Sequence, residues 1–192
     1  MINRAIILSA LFLCIAVTIN WFLFESKEID DSNILNEPDQ YMIDAVINRF
    51  DGEGMPQHKI AATKFSQSPT TKVTTMKSPA LTLRKSKQST QWKITSLEGR
   101  ILPPSKHSEE VVELWNEVLA IRHDHGRKFV NITTESLTVY PKRTYAETDK
   151  AVSIKNKSSE TKAAGMRAFL NPGKFIFYSG TSIRVTTTFA PK

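Results

Sequence analysis

The stretch Glu109-Glu110-Val111-Val112-Glu113-Leu114-Trp115-Asn116-Glu117-Val118-Leu119-Ala120-Ile121-Arg122 admits two structures. Val111, Val112, Trp115, Val118, Leu119 and Ile121 fit the apolar stripe of a helix, and Ser108 stands where an N-cap would. The same residues fit two short strands. A helix here makes the domain α+β, whereas strands make it all-β. The pattern of this stretch alone leaves both open.

On either side of it the dominant period is two. Tyr41, Ile43, Ala45 and Ile47 alternate with more polar neighbours, while Met42 and Val46 depart from the pattern. Asp51-Gly52-Glu53-Gly54 predicts a turn, with a return strand over 59–65. Further strands are predicted over 70–76, 79–84 and 91–97, the last placing Trp92 and Ile94 on one face. Near the C-terminus Phe175, Phe177, Ile183, Val185 and Phe189 share odd parity, with Gly180 interrupting. Short β-branched and aromatic runs between Gly, Pro, Asn, Asp and Ser clusters indicate an all-β sandwich or barrel. A short internal similarity tips the balance the same way. Ile94-Thr95-Ser96-Leu97-Glu98 resembles Ile132-Thr133-Thr134-Glu135-Ser136-Leu137, each followed by a turn and another strand, as in sheets stacked by serial hairpins.

The N-terminus is of another kind. Residues 5–24 read Ala-Ile-Ile-Leu-Ser-Ala-Leu-Phe-Leu-Cys-Ile-Ala-Val-Thr-Ile-Asn-Trp-Phe-Leu-Phe, without a formal charge. As a helix this run is about 30 Å long, the thickness of a bilayer's hydrocarbon core. Arg4 precedes it, and Glu25, Glu28, Asp30 and Asp31 follow with only Lys27 against them, which predicts an N-in, C-out orientation. Trp21 and Phe22 suit the outer interface. A cleaved signal peptide is the competing reading. The run is too long for a short apolar region, Cys14 and Ala16 make a poor cleavage site, and Leu13 is not the small residue a lipoprotein site needs. An uncleaved anchor is therefore expected. The expected organisation is residues 1–4 in the cytoplasm, an anchor at 5–24, a solvated linker at 25–38 and a β-domain at 39–192.

Cys14, the single cysteine, falls within the anchor, so the exported domain has no internal disulfide and no periplasmic thiol nucleophile. Roughly 150 residues suffice for one core. Of the 26 Lys and Arg only Arg4 precedes the apolar run, while all 19 Asp and Glu follow it. Lys85, Lys87, Lys93, Arg127, Lys128, Lys142 and Arg143 are candidates to meet phosphates, or else form a solvated basic face. Nucleic acid is not expected of an exported domain without an aromatic stacking platform. His123-Asp124-His125 lacks a third metal ligand at defined spacing, Gly126 marks a hairpin turn, and His58 and His107 stand alone. Asp44, Asp51 and Asp149 lie near turns, and no Gly-x-Ser-x-Gly elbow, phosphate-cradling loop or His-Glu-x-x-His helix occurs. Neither an enzyme, nor a metal site, nor a cofactor is expected.

Several pieces taken in order carry a resemblance. They are the anchor, Pro38-Asp39-Gln40-Tyr41, Phe50-Asp51-Gly52-Glu53-Gly54, Ile60-Ala61-Ala62 and Ser78-Pro79-Ala80-Leu81-Thr82-Leu83. Trp92-Lys93-Ile94-Thr95-Ser96-Leu97-Glu98-Gly99, Leu114-Trp115-Asn116-Glu117-Val118 and Ile132-Thr133-Thr134-Glu135-Ser136-Leu137 follow. Tyr145-Ala146-Glu147-Thr148-Asp149 and Ala164-Gly165-Met166 complete the series, which resembles the lipopolysaccharide-export LptC family over almost the whole chain. Two departures are Trp115 before Asn116, where relatives tend to have a small residue, and the Lys-rich hairpin Lys85-Ser86-Lys87-Gln88-Ser89.

The resemblance implies a non-enzymatic periplasmic β-jellyroll of two antiparallel sheets, open along one side, and makes 114–121 strand. It also implies passage of lipopolysaccharide from the inner-membrane transporter LptB-LptF-LptG to LptA. Inward apolar residues would then line a trough for acyl chains. The candidates are Ile43, Ala45, Ile47, Ile60, Met76, Leu81, Leu83, Trp92, Ile94, Leu114, Val118, Ile132 and Phe177, which in an ordinary sandwich would simply fill a core. The strand 41–50, with Tyr41 and Phe50, is expected to face LptF and LptG. The strand 175–189, with Phe175, Ile183 and Val185, is expected to pair with LptA. A bitopic envelope scaffold of the secretion or divisome type is the alternative. It would share the anchor and β-domain but have a dry, filled core.

Overall fold

Period-two alternation becomes antiparallel ladder in every strand of the computed structural model, which describes residues 40–84, 90–124 and 127–190. All of these belong to the unit Glu37–Lys192. The expected anchor and linker, Lys85, Lys87 and His125 lie outside them. Among the described residues no helix is long and apolar enough to cross a membrane.

Fourteen strands are described: β1 (Gln40–Phe50), β2 (Pro56–Gln67), β3 (Thr74–Lys77), β4 (Ala80–Arg84), β5 (Gln91–Thr95), β6 (Glu98–Leu102), β7 (Val111–Asp124), β8 (Arg127–Tyr140), β9 (Tyr145–Thr148), β10 (Val152–Lys155), β11 (Ser159–Ala163), β12 (Gly165–Phe169), β13 (Lys174–Tyr178) and β14 (Thr186–Phe189). Their ladders form one connected sheet that folds over on itself. Long strands serve both layers. β2 pairs with β4 through His58–Ala61 and with β3 through Lys64–Gln67. β7 pairs with β6 through Val111–Trp115 and with β5 through Leu119–His123. The first layer continues through β8 to β10, β11 and β14, the second through β8 to β9, β12 and β13.

The fold-over has a corner made of unusual backbone. Asp44, Ser78, Asn116 and Glu117 have φ of 47°, 48°, 62° and 59°, left-handed values that bend a strand sharply. Ser78 N–H donates to Leu97 O (2.8 Å) and Leu97 N–H donates to Asn116 O (2.9 Å), linking three corners in a row. In β7 and β8 the register passes from Trp115↔Ser136 to Val118↔Thr134, so Asn116 and Glu117 oppose Glu135 alone. This decides the ambiguous stretch. It is a single bent strand rather than a helix or two strands, with Val112, Leu114, Val118 and Ala120 buried and Trp115 and Leu119 half-buried on the other face. The bend, combined with apolar residues on both faces, mimics a helical stripe.

Two further expectations are corrected. The strand predicted over 70–76 shrinks to Thr74–Lys77, because Ser68 N–H bonds Val73 O and Lys72 N–H bonds Ser68 O in a turn. The single strand predicted over 175–189 is two strands in different layers. Gly180 N–H closes a turn onto Ile183 O at 2.8 Å, and Ile183 and Val185 lie in the connection. A Cβ at Gly180 would come within 2.9 Å of Ala164 Cβ, so this turn needs the absence of a side chain.

Candidate functional site

The interior between the layers is the candidate site. Nine of the predicted lining residues, Ile60, Met76, Leu81, Leu83, Trp92, Ile94, Leu114, Val118 and Ile132, are buried in one continuous cluster. Ala45, Ile47, Phe175 and Phe177 are partly buried against it. Phe175 meets Trp92 edge-on at 6.3 Å between ring centroids and stacks on Phe177 at 6.4 Å, so its side chain belongs to the interior, although β13 is an end strand of the described sheet.

Ile43 is the exception, at 58% exposed. The positive φ of Asp44 resets the alternation. Beyond it Met42 pairs with the buried Phe65, and Ile43 with the exposed Lys64. Parity flips in the same way across Glu135, where Val130, Ile132 and Thr134 give way to Leu137 and Val139 as the buried set. Sequence reading missed Leu137 and Val139 for that reason. It also missed Ile101, whose spacing of two from the buried Gly99 was the available signal, and Phe65, which lies three residues beyond the buried Ala62 and so breaks parity with it.

The interior is filled by these side chains, with recesses at its margins. One, of about 140 Å³, is lined by Met42, Ile47, Phe65 and Ile101 together with polar residues at the strand ends. That equals the liquid volume of four or five waters, at about 30 Å³ each. A shallower groove of about 780 Å³ lies at the far end of the stack, where Ile183 meets Val118, Thr134, Val152 and Ala163.

Opposite the corner the layers are held together by polar contacts. His58, on β2 in the first layer, places Nε2 2.9 Å from Glu110 Oε1 just before β7 of the second. Arg49 Nη2 on β1 lies 3.1 Å from Glu110 Oε2. Burial by itself would raise the Glu110 carboxyl, yet the His58 contact and the Arg49 guanidinium hold it below its ordinary value.

The outer surface of the second layer carries a second polar group. The phenols of Tyr140 and Tyr145 both donate to Glu147, at 3.1 and 2.7 Å. Burial and that bond raise both, Tyr145 to about 12. Arg143, ion-paired with Glu109, lies over both rings at 4.3 and 5.6 Å. Phenols raised so far remain protonated and serve as hydrogen-bond donors. At the corner, Trp115 and Asn116 both donate to Glu98 Oε2, at 2.9 and 3.1 Å, which gives the unexpected Trp a local partner.

Other predicted residues stand apart from the interior. Tyr41 and Phe50 are exposed on β1, which among the described strands pairs with β2 alone. Lys93, Lys142 and Arg143 are exposed. Asp51 accepts from the Glu53 and Met55 amides as a turn cap, at 3.0 and 2.9 Å, and Asp44 and Asp149 are exposed. His123 is half-buried, and among the described residues no three potential ligands gather for a metal. Asp124 and Arg127 are register partners in the β7–β8 ladder.

The sequence matches the family model described as lipopolysaccharide-assembly, LptC-related, over residues 7–185. A search of curated proteins found no match. Among solved structures, one similar chain is LptH of Pseudomonas aeruginosa, described as the LptA-homologous periplasmic component of the conserved lipopolysaccharide transport device. It is 9% identical, with a TM-score of 0.50 over 81% of this chain and 96% of that one, a likeness of fold. The doubled-over antiparallel layers are thus jellyroll-like, and with a family match from the N-terminal apolar run almost to the C-terminus, this chain belongs to the LptC-related lipopolysaccharide-assembly family.

Proposed function

We propose that this chain is a carrier, not an enzyme, that accepts lipopolysaccharide from the LptB-LptF-LptG transporter and passes it to LptA. In this reading residues 5–24 anchor it once in the inner membrane, with the N-terminus cytoplasmic and the β-domain periplasmic. The observation that carries the proposal is the family match over residues 7–185. The fold suits the task. Each methylene withdrawn from water is worth about 0.8 kcal/mol, so an acyl chain needs an apolar enclosure to cross an aqueous compartment. Here the apolar faces of two layers meet, and on the side away from the corner polar contacts hold them closed. Because the interior is filled, lipid enters by parting the layers and taking the place of side-chain contacts.

Photo-crosslinkers at Ile47, Ile94 and Phe177, in cells with an active transporter, should capture lipopolysaccharide. Crosslinkers at Lys59 and Lys93, which are exposed, should not. Capture equal at both sets, or at neither, refutes the carrier. Mass spectrometry should find the N-terminus intact, whereas a mature chain beginning after residue 16 refutes the anchor.

The filled core is also what a bitopic envelope scaffold would have. A scaffold yields protein adducts from exposed β1 positions and no lipid adducts from the interior.

A further inference from the structure

The ion pair between Arg49 and Glu110 is a wall shared by two recesses. The smaller, of about 140 Å³, has Met42, Ile47, Phe65 and Ile101 on its apolar side and Gln40, Gln67, Lys72 and Thr74 on its polar side. The larger, of about 650 Å³, is lined by Phe50, Pro104 and Pro141 together with His58, Lys106, His107 and Lys142.

Charge in the larger recess is uneven. Glu110 is held by Arg49 and His58, and Glu109 by Arg143, so both carboxylates are already paired. The ammonium groups of Lys106 and Lys142 have no ion-pair partner among the described residues. His58, with its side chain 3% exposed, also lines this recess and turns Nε2 toward Glu110. Two uncompensated ammonium groups beside carboxylates that are already paired mark a place for an anionic ligand.

We propose that the two recesses bind one amphiphile. Its phosphorylated sugar rests on Lys106, His107 and Lys142, the first carbons of an acyl chain enter beside Met42 and Ile47, and Arg49–Glu110 marks the boundary. The inference rests on the carrier reading and adds where the headgroup sits. Lysines suit the role because they bind phosphate as point charges without demanding one geometry. The smaller recess, of about 140 Å³, is too small for a whole chain. It grips the chain where it leaves the sugar, and the remainder runs into the parted interior.

The test uses the full-length chain in nanodiscs and fluorescent lipid A carrying two, one or no phosphates. K106E/K142E should weaken binding of the doubly phosphorylated lipid by about tenfold, and leave the phosphate-free lipid unchanged. K106Q/K142Q should fall between, and M42D should weaken all three lipids. Both lysines are exposed, so melting temperatures should match wild type. Equal effects on phosphorylated and phosphate-free lipid overturn the headgroup site while leaving the carrier intact. Wild-type protein that binds none of the lipids overturns both. Inorganic phosphate should fail to compete at the lipid's concentration. Competition there overturns the amphiphile in favour of a free-phosphate site.

Discussion

The indole Nε1 of Trp92 donates a hydrogen bond to the carbonyl oxygen of Leu170, 3.2 Å away and 78 residues further along the chain. Trp92 lies on β5 in the first layer and Leu170 just after β12 in the second, so the bond crosses between layers. W92F keeps most of the apolar mass but leaves a buried carbonyl unpaired. It should cost about 1–3 kcal/mol in urea unfolding. If the layers part to admit lipid, W92F should also load faster in a stopped-flow assay. An unchanged midpoint would show that the contact holds nothing together.

Glu110 supplies a pH dependence with a definite sign. Its carboxyl lies below its ordinary value because His58 and Arg49 outweigh the cost of burial. A group whose folded value is depressed contributes stability above its unfolded value and loses it as pH falls through the folded one. Unfolding midpoints of the wild type should therefore fall as acid is added through the carboxylate range. E110Q should be less stable near neutrality and show a shallower acid limb. Parallel curves would remove this group from the acid response.

Gly99 sits where a side chain has no room. A Cβ there would approach Leu114 Cδ2 at 2.8 Å, Glu113 O at 2.9 Å and Met76 Cε at 3.1 Å. Overpacking of this kind costs about 1–3 kcal/mol, so G99A should lower the melting temperature by several degrees. A melt within a degree of wild type would mean that Met76 yields without cost.

Ile43 and Ile94 test the parity reset at Asp44. Ile94 is 0% exposed and Ile43 58%. I94A should lose about 2–5 kcal/mol, and I43A should stay within about 0.5 kcal/mol of wild type. Comparable losses would place Ile43 inside after all.

β14 is exposed throughout and among the described strands pairs with β11 alone, so removing it disturbs little of the core. Deleting residues 181–192 should abolish capture of LptA in a pull-down and retain association with LptF and LptG. A stable truncated chain that still captures LptA would move that junction to another edge, with β13 next to be tested.

Much of the architecture was legible before any coordinates. Alternation and turn residues marked the hairpin at Asp51–Gly54 and the shared face of Trp92 and Ile94. The similarity between 94–98 and 132–137 corresponds to two places where the chain turns from the first layer to the second. Order and spacing of motifs pointed to the family.

Tertiary structure alone decided which layer each half of β2, β7 and β8 joins, and which residues face inward beyond each bend. Period two reports a face only until the backbone is reset. At Asp44 and Ser78, and across Glu135 opposite the Asn116–Glu117 bulge, the resets fall on residues other than glycine, so no glycine marks them in the sequence. The division of 175–189 between two layers was hidden because five residues of one parity look like one strand whether or not the chain turns at Gly180. Contacts such as Trp92–Leu170 and Arg49–Glu110 join residues far apart in the chain, and only the folding-over of the sheet brings them together.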